Sequence, residues 1–148
     1  MAGLTPDQIT AFLQTHFPRA LDFPLVITGV GDDWLTCELT ASERFLRPGG
    51  TVSGPTLMTL ADTATYFLLL SKLGPVALAV TTSLHIDFLR RPALANVVAR
   101  AELLKLGKTL AVMRVVLTSL GDERPIAHAT VTYSLPPTPT TPTTPATP

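Results

Sequence analysis

Asp62 lies in Ser53-Gly54-Pro55-Thr56-Leu57-Met58-Thr59-Leu60-Ala61-Asp62, inside a stretch that otherwise reads as a buried helix. An ionised carboxylate in apolar surroundings is costly unless something stabilises it. Its position therefore calls for a salt bridge, a cap or a chemical role. Upstream, Ser53, Gly54 and Pro55 mark a helix start, since serine suits the N-cap and proline the first turn. A helix start offers free backbone N–H groups and the positive end of the helix dipole. One segment thus holds a carboxylate fit to be a general base or nucleophile and a donor fit for an oxyanion. On the residues alone a plainer reading stays open. Asp62 can be a helix carboxylate satisfied by a neighbouring threonine or by backbone, and Gly54 can simply begin a helix.

The elements that position these residues follow from periodicity and punctuation. Thr5-Pro6-Asp7-Gln8 predicts a capped helix over 5–16, with Ile9, Phe12 and Leu13 on one stripe. Leu25–Val30 and Trp34–Thr40 read as strands around the turn Gly31-Asp32-Asp33. A central helix is expected over about 53–73, ended by Gly74 and Pro75. Ala77–Leu89 then alternates as a strand. Val80, Thr82, Leu84, Ile86 and Phe88 are expected on one face, and Thr81, Ser83, His85 and Asp87 on the other. Asn96–Leu106, Thr109–Leu120 and Pro125–Leu135 complete the sheet, with Gly107-Lys108 as a tight turn. One long helix among mostly antiparallel strands indicates an α+β class, with the sheet wrapped around the helix. Residues 1–135 are expected to form a single domain. Pro136–Pro148 contains only Pro, Thr and one Ala, and is expected to be a disordered tail.

Composition narrows the function. Eleven basic and 11 acidic residues give zero formal charge, which argues against a nucleic-acid partner. The long apolar stretch Tyr66–Val80 is broken by Lys72, Gly74 and Pro75, so no membrane span is expected. Cys37 is the one cysteine and reads as a small buried residue in a reducing compartment. With no signal-peptide pattern at the start, a cytoplasmic location is expected. His16, His85 and His128 show no metal-ligand spacing, and no cofactor motif is present. An apolar fraction of 46% is high for 148 residues and points to surface buried against further copies, in a homodimer or homotetramer.

Three segments in this order resemble a known family. They are Gly50-x-x-Ser53-Gly54 with Leu60-Ala61-Asp62, Val80–Pro92, and Leu104-Lys105-Leu106-Gly107-Lys108-Thr109. Together they resemble the hotdog-fold thioesterases of the phenylacetyl-CoA thioesterase (PaaI-like) type, from about Leu25 to Tyr133. The resemblance implies a hotdog fold and hydrolysis of an acyl-CoA without a cofactor. It implies that Asp62 holds the position of the catalytic carboxylate and Gly54 that of the glycine whose N–H faces the thioester carbonyl. It also implies that Thr81 stands where a Ser or Thr reaches the site from the other subunit. Ser53 replaces the family's usual His, Arg47 an Asn that often positions the reacting group, and Pro55 its second Gly.

These departures leave the chemistry workable. A thiol of pKa about 8.5 leaves readily as thiolate, so a strong general acid is dispensable. Thr81 would orient water or bond Asp62. Arg47 would pair with Asp62 or hold substrate. Arg90, Arg91, Lys105 and Lys108 lie near strand ends, where they would meet coenzyme A phosphates or simply be solvated. Two other readings remain. One is a non-catalytic acyl-CoA-binding protein. The other is a hotdog hydratase or dehydratase, disfavoured because the nearest earlier histidine, His16, lies far in sequence from the helix start.

Overall fold

Thr5 caps the first helix as its type predicts. Its hydroxyl accepts the Gln8 N–H at 3.3 Å and the Gln8 side chain accepts the Thr5 N–H at 2.9 Å. Helix α1 (Pro6–His16) buries Ile9 and Leu13. The computed structural model describes residues 3–137. The expected tail therefore lies, from residue 138 onward, outside the described residues. A 3₁₀ turn at Pro18–Asp22 leads to β1 (Leu25–Val30) and β2 (Trp34–Leu39). The long helix α2 spans Gly54–Leu73, and β3 (Val80–Phe88), β4 (Val97–Leu106), β5 (Leu110–Ser119) and β6 (Pro125–Ser134) follow.

All six strands form one antiparallel sheet in the order β1-β2-β4-β5-β6-β3. Helix α2 touches every one of them. It is apolar nearly all round, with Leu57, Leu60, Ala61, Ala64, Phe67, Leu68, Leu69 and Leu70 buried, so it needs apolar cover on most of its circumference. A sheet curled around it supplies that cover. Ala99, Ala101, Ala111, Ala127 and Ala129 are completely buried on the strands, and their small side chains let the sheet approach the helix closely. Each fully buried leucine contributes about 2 kcal/mol by leaving water. Among the described residues no helix is long and apolar enough to cross a membrane.

Two local expectations are corrected. The β4–β5 turn has Lys108 and Thr109 at its tip, because the Gly107 N–H bonds the Leu110 carbonyl at 2.8 Å. The second correction bears on the site. Simple alternation put Thr81 on the face opposite Leu84 and Ile86. The β3–β6 register, however, pairs Thr81 with Tyr133 and Ser83 with the next residue back, Thr132. Thr82 is the extra residue of a β-bulge, and a bulge reverses the facing of everything before it. Thr81 thereby turns toward α2.

Strand β3 closes one edge of the sheet with much of its length exposed, including Val80 and Phe88. An uncovered edge carrying apolar side chains is an open template for another strand.

Candidate active site

Asp62 sits half-buried in the third turn of α2, on the wall of a cavity of about 570 Å³. Three elements converge on it. From β3, the Thr81 hydroxyl donates to Asp62 Oδ1 at 2.6 Å. From β6, Tyr133 Oη lies 3.0 Å from the same Oδ1 and 3.0 Å from the Asp62 backbone carbonyl. From one turn further along α2, the Thr65 hydroxyl donates to that carbonyl at 2.7 Å. Among the described residues no donor reaches Oδ2. The carboxylate is thus held by one oxygen. Phe17, Ala20 and Phe23 bring apolar surface from the segment after α1, and His16 lines the same cavity. The histidine that is remote in sequence is thus close to the carboxylate's cavity in space.

Burial pushes the Tyr133 phenol well above its ordinary value, and the charge of Asp62 beside it adds to the rise. Burial also raises Tyr66, whose ring stacks on Tyr133 at 6.2 Å with an interplanar angle of 9°. These are the chain's two tyrosines. Both phenols are expected to be less ionised at pH 10 than a free tyrosine, which is about half ionised there. The folded chain then holds protons that the unfolded chain has lost. The tyrosines' contribution to stability should be intact below about pH 10 and be lost as pH rises above it, and the buried Cys37 thiol, pushed up to about 12, should begin the same loss nearer pH 9. An alkaline titration of the tyrosinate absorbance, run beside melting temperatures over the same range, checks both. Ionisation of either tyrosine at the free value in folded protein would contradict it.

The Gly54 end of α2 opens on a separate cavity of about 680 Å³, lined also by Arg47, Phe88, Arg90 and Arg91. Ser53 is the N-cap. Its hydroxyl accepts the Thr56 N–H at 3.3 Å and lies 2.8 Å from the Thr56 hydroxyl, while its carbonyl accepts the Leu57 N–H at 3.1 Å. Pro55 has no N–H. The Gly54 N–H alone in this first turn has no acceptor among the described residues. A methyl group at position 54 would meet the Phe88 ring at 3.4 Å, an ordinary contact, so crowding does not dictate glycine here. Arg91 donates to the Gly49 carbonyl at 3.3 Å and Arg90 to the Pro125 carbonyl at 3.0 Å.

Within one chain the geometry separates several of the residues that the sequence singled out. Gly54 and Asp62 stand eight residues apart on one helix, about 12 Å along its axis. A reacting carbon needs to lie about 3 Å from both nucleophile and oxyanion donor, so one chain does not bring the two together. Thr81 reaches Asp62 from its own chain, not from another, because the bulge turns it inward. Arg47 lines the Gly54 cavity and not that of Asp62. The four cations also separate. Arg90 and Arg91 follow the end of β3, whereas Lys105 and Lys108 sit by the β4–β5 turn, level with its beginning, where Leu110 and Val80 both pair with Ser134. The length of β3, about 30 Å, lies between them. Sequence reasoning missed Tyr133, which stands 71 positions from Asp62, with no motif to link them.

Comparison with known proteins identifies the family. The model of the thioesterase superfamily matches residues 49–126, the stretch from the Gly54 loop to the start of β6. No curated protein matches the chain. A candidate thioesterase from Silicibacter sp. TM1040 is 41% identical over 93% of this chain and 95% of its own, with a TM-score of 0.81. The PaaI protein of the E. coli phenylacetic acid degradation operon is 22% identical over 86% of this chain and 95% of its own, with a TM-score of 0.73. A hypothetical thioesterase from Streptococcus pneumoniae TIGR4, solved with coenzyme A, is 21% identical over 86% and 99%, with a TM-score of 0.74. The last two share the fold. This chain belongs to the thioesterase superfamily and has its hotdog fold.

Proposed function

We propose that the protein hydrolyses acyl-CoA thioesters in a site shared between two copies of the chain. The observation that carries this is the Asp62 carboxylate in a cavity wall, held at Oδ1 by Thr81 and Tyr133, with no donor among the described residues on Oδ2. Asp62 Oδ2 takes a proton from water as that water attacks the thioester carbon, or attacks the carbon itself. The carbonyl oxygen becomes an oxyanion. The Gly54 N–H of a second copy, at the positive end of its helix, donates to it. The carbon–sulfur bond then breaks and the electron pair leaves on sulfur as coenzyme A thiolate; the water route leaves the carboxylic acid, whereas direct attack leaves a mixed anhydride on Asp62, which a water molecule hydrolyses to the acid and the free Asp62 carboxylate. Arg47, Arg90 and Arg91 of the second copy line the cavity at Gly54 and would offer their cations to the nucleotide phosphates of the leaving group. Lys105 and Lys108 have no part in that cavity.

Two facts support the second copy. Base and donor are too far apart in one chain, and the β3 edge beside them is uncovered. The fold neighbour solved with coenzyme A supports the substrate class.

Thiol release from short, long and aromatic acyl-CoAs tests the reading. Release of one thiol per carboxylic acid formed is expected for at least one class. Binding of acyl-CoA with no release across the panel would make the protein a non-catalytic binder. His16 in the Asp62 cavity favours one alternative, a hydratase working with a histidine and a carboxylate. Hydration of an enoyl-CoA without thiol release would identify it.

A further inference from the structure

We infer that Tyr133 is a positioning residue for the reaction, fixing which oxygen of Asp62 faces the substrate. The inference rests on the reading of Asp62 as base or nucleophile. A carboxylate at the end of two rotatable bonds presents either oxygen unless it is held. Thr81 alone is a poor clamp, because its donor swings on a single hydroxyl rotor at the start of an exposed edge strand. Tyr133 differs in three respects. Its ring is buried and stacked on Tyr66, so the hydroxyl is a stiff reference point. Its single hydroxyl proton stands within reach of Oδ1 and of the backbone carbonyl of the same residue, both at 3.0 Å, and because Thr65 already donates to that carbonyl the proton is available to Oδ1. And it sits directly across β3–β6 from Thr81, so that both hydroxyls arrive at one oxygen. Oδ1 is thereby filled, and Oδ2 is the oxygen that reacts.

Tyr133→Phe removes only the hydroxyl. Thr81 remains on Oδ1 and Thr65 on the Asp62 carbonyl, so no buried acceptor is orphaned and the fold is expected to persist. The experiment is a double-mutant cycle of Tyr133→Phe with Asp62→Asn, assayed by thiol release on full-length protein. Tyr133→Phe should lower kcat on the order of tenfold with KM little changed, as loosened positioning does. Added to Asp62→Asn, it should change kcat no further, because there is no reactive oxygen left to aim. Wild-type kcat in folded Tyr133→Phe would overturn the inference. So would an equal factor of loss in both backgrounds, the mark of a merely structural role. If Asp62→Asn itself keeps wild-type turnover, the reading of Asp62 falls first, which is a separate result.

Discussion

Asp62→Asn is expected to fold as the wild type does and to lose thioester hydrolysis on the order of a hundredfold or more. The amide has the shape of the carboxylate, and its oxygen still accepts from Thr81 and Tyr133, whose donors therefore keep a partner. What disappears is the second oxygen, the one with no donor on it among the described residues. An amide nitrogen neither takes a proton from water nor attacks a carbonyl. The melting temperature and kcat of the variant decide the matter together. Near-normal melting with collapsed kcat supports the assignment. Full turnover in the folded variant would mean that the carboxylate is structural and that the reactive group lies elsewhere.

Mixing two inactive variants should restore activity. The base and the oxyanion donor stand about 12 Å apart on one helix, so a complete site takes Asp62 from one copy and Gly54 from another. Gly54→Pro deletes that donor at a first helical position, where a proline ring is tolerated. Alone, it should be nearly as inactive as Asp62→Asn. When subunits of the two exchange freely at equal amounts, half the dimers are mixed. Each mixed dimer holds one site with both groups intact and one with neither. Roughly a quarter of wild-type turnover is then expected. Each variant must first be shown folded by its melting temperature. No recovery after demonstrated exchange would place both groups in one chain. A monomer by light scattering at working concentration would contradict the shared site outright.

The order of elements was legible from local patterns. Thr5 with Gln8, Ser53 with Pro55, and Gly74 with Pro75 name the start of α1 and both ends of α2 because capping is a matter of neighbouring residues. The all-round apolar character of α2 announces a helix inside a sheet. Asp62 stood out because a charge is conspicuous among leucines and alanines. The same locality set the limit. Thr81 faces α2 only because Thr82 is an extra residue in the β3–β6 register, and a one-residue slip reverses every side chain before it. No alternation pattern announces such a slip. Tyr133 meets Asp62 across 71 positions, His16 reaches the same cavity from the far end of the chain, and Arg47 turns to the other cavity. The sequence by itself determined which groups are present and which elements carry them. Which of them share a cavity was decided by strand register and by the rise of a helix, since both act through contacts between residues far apart in the chain.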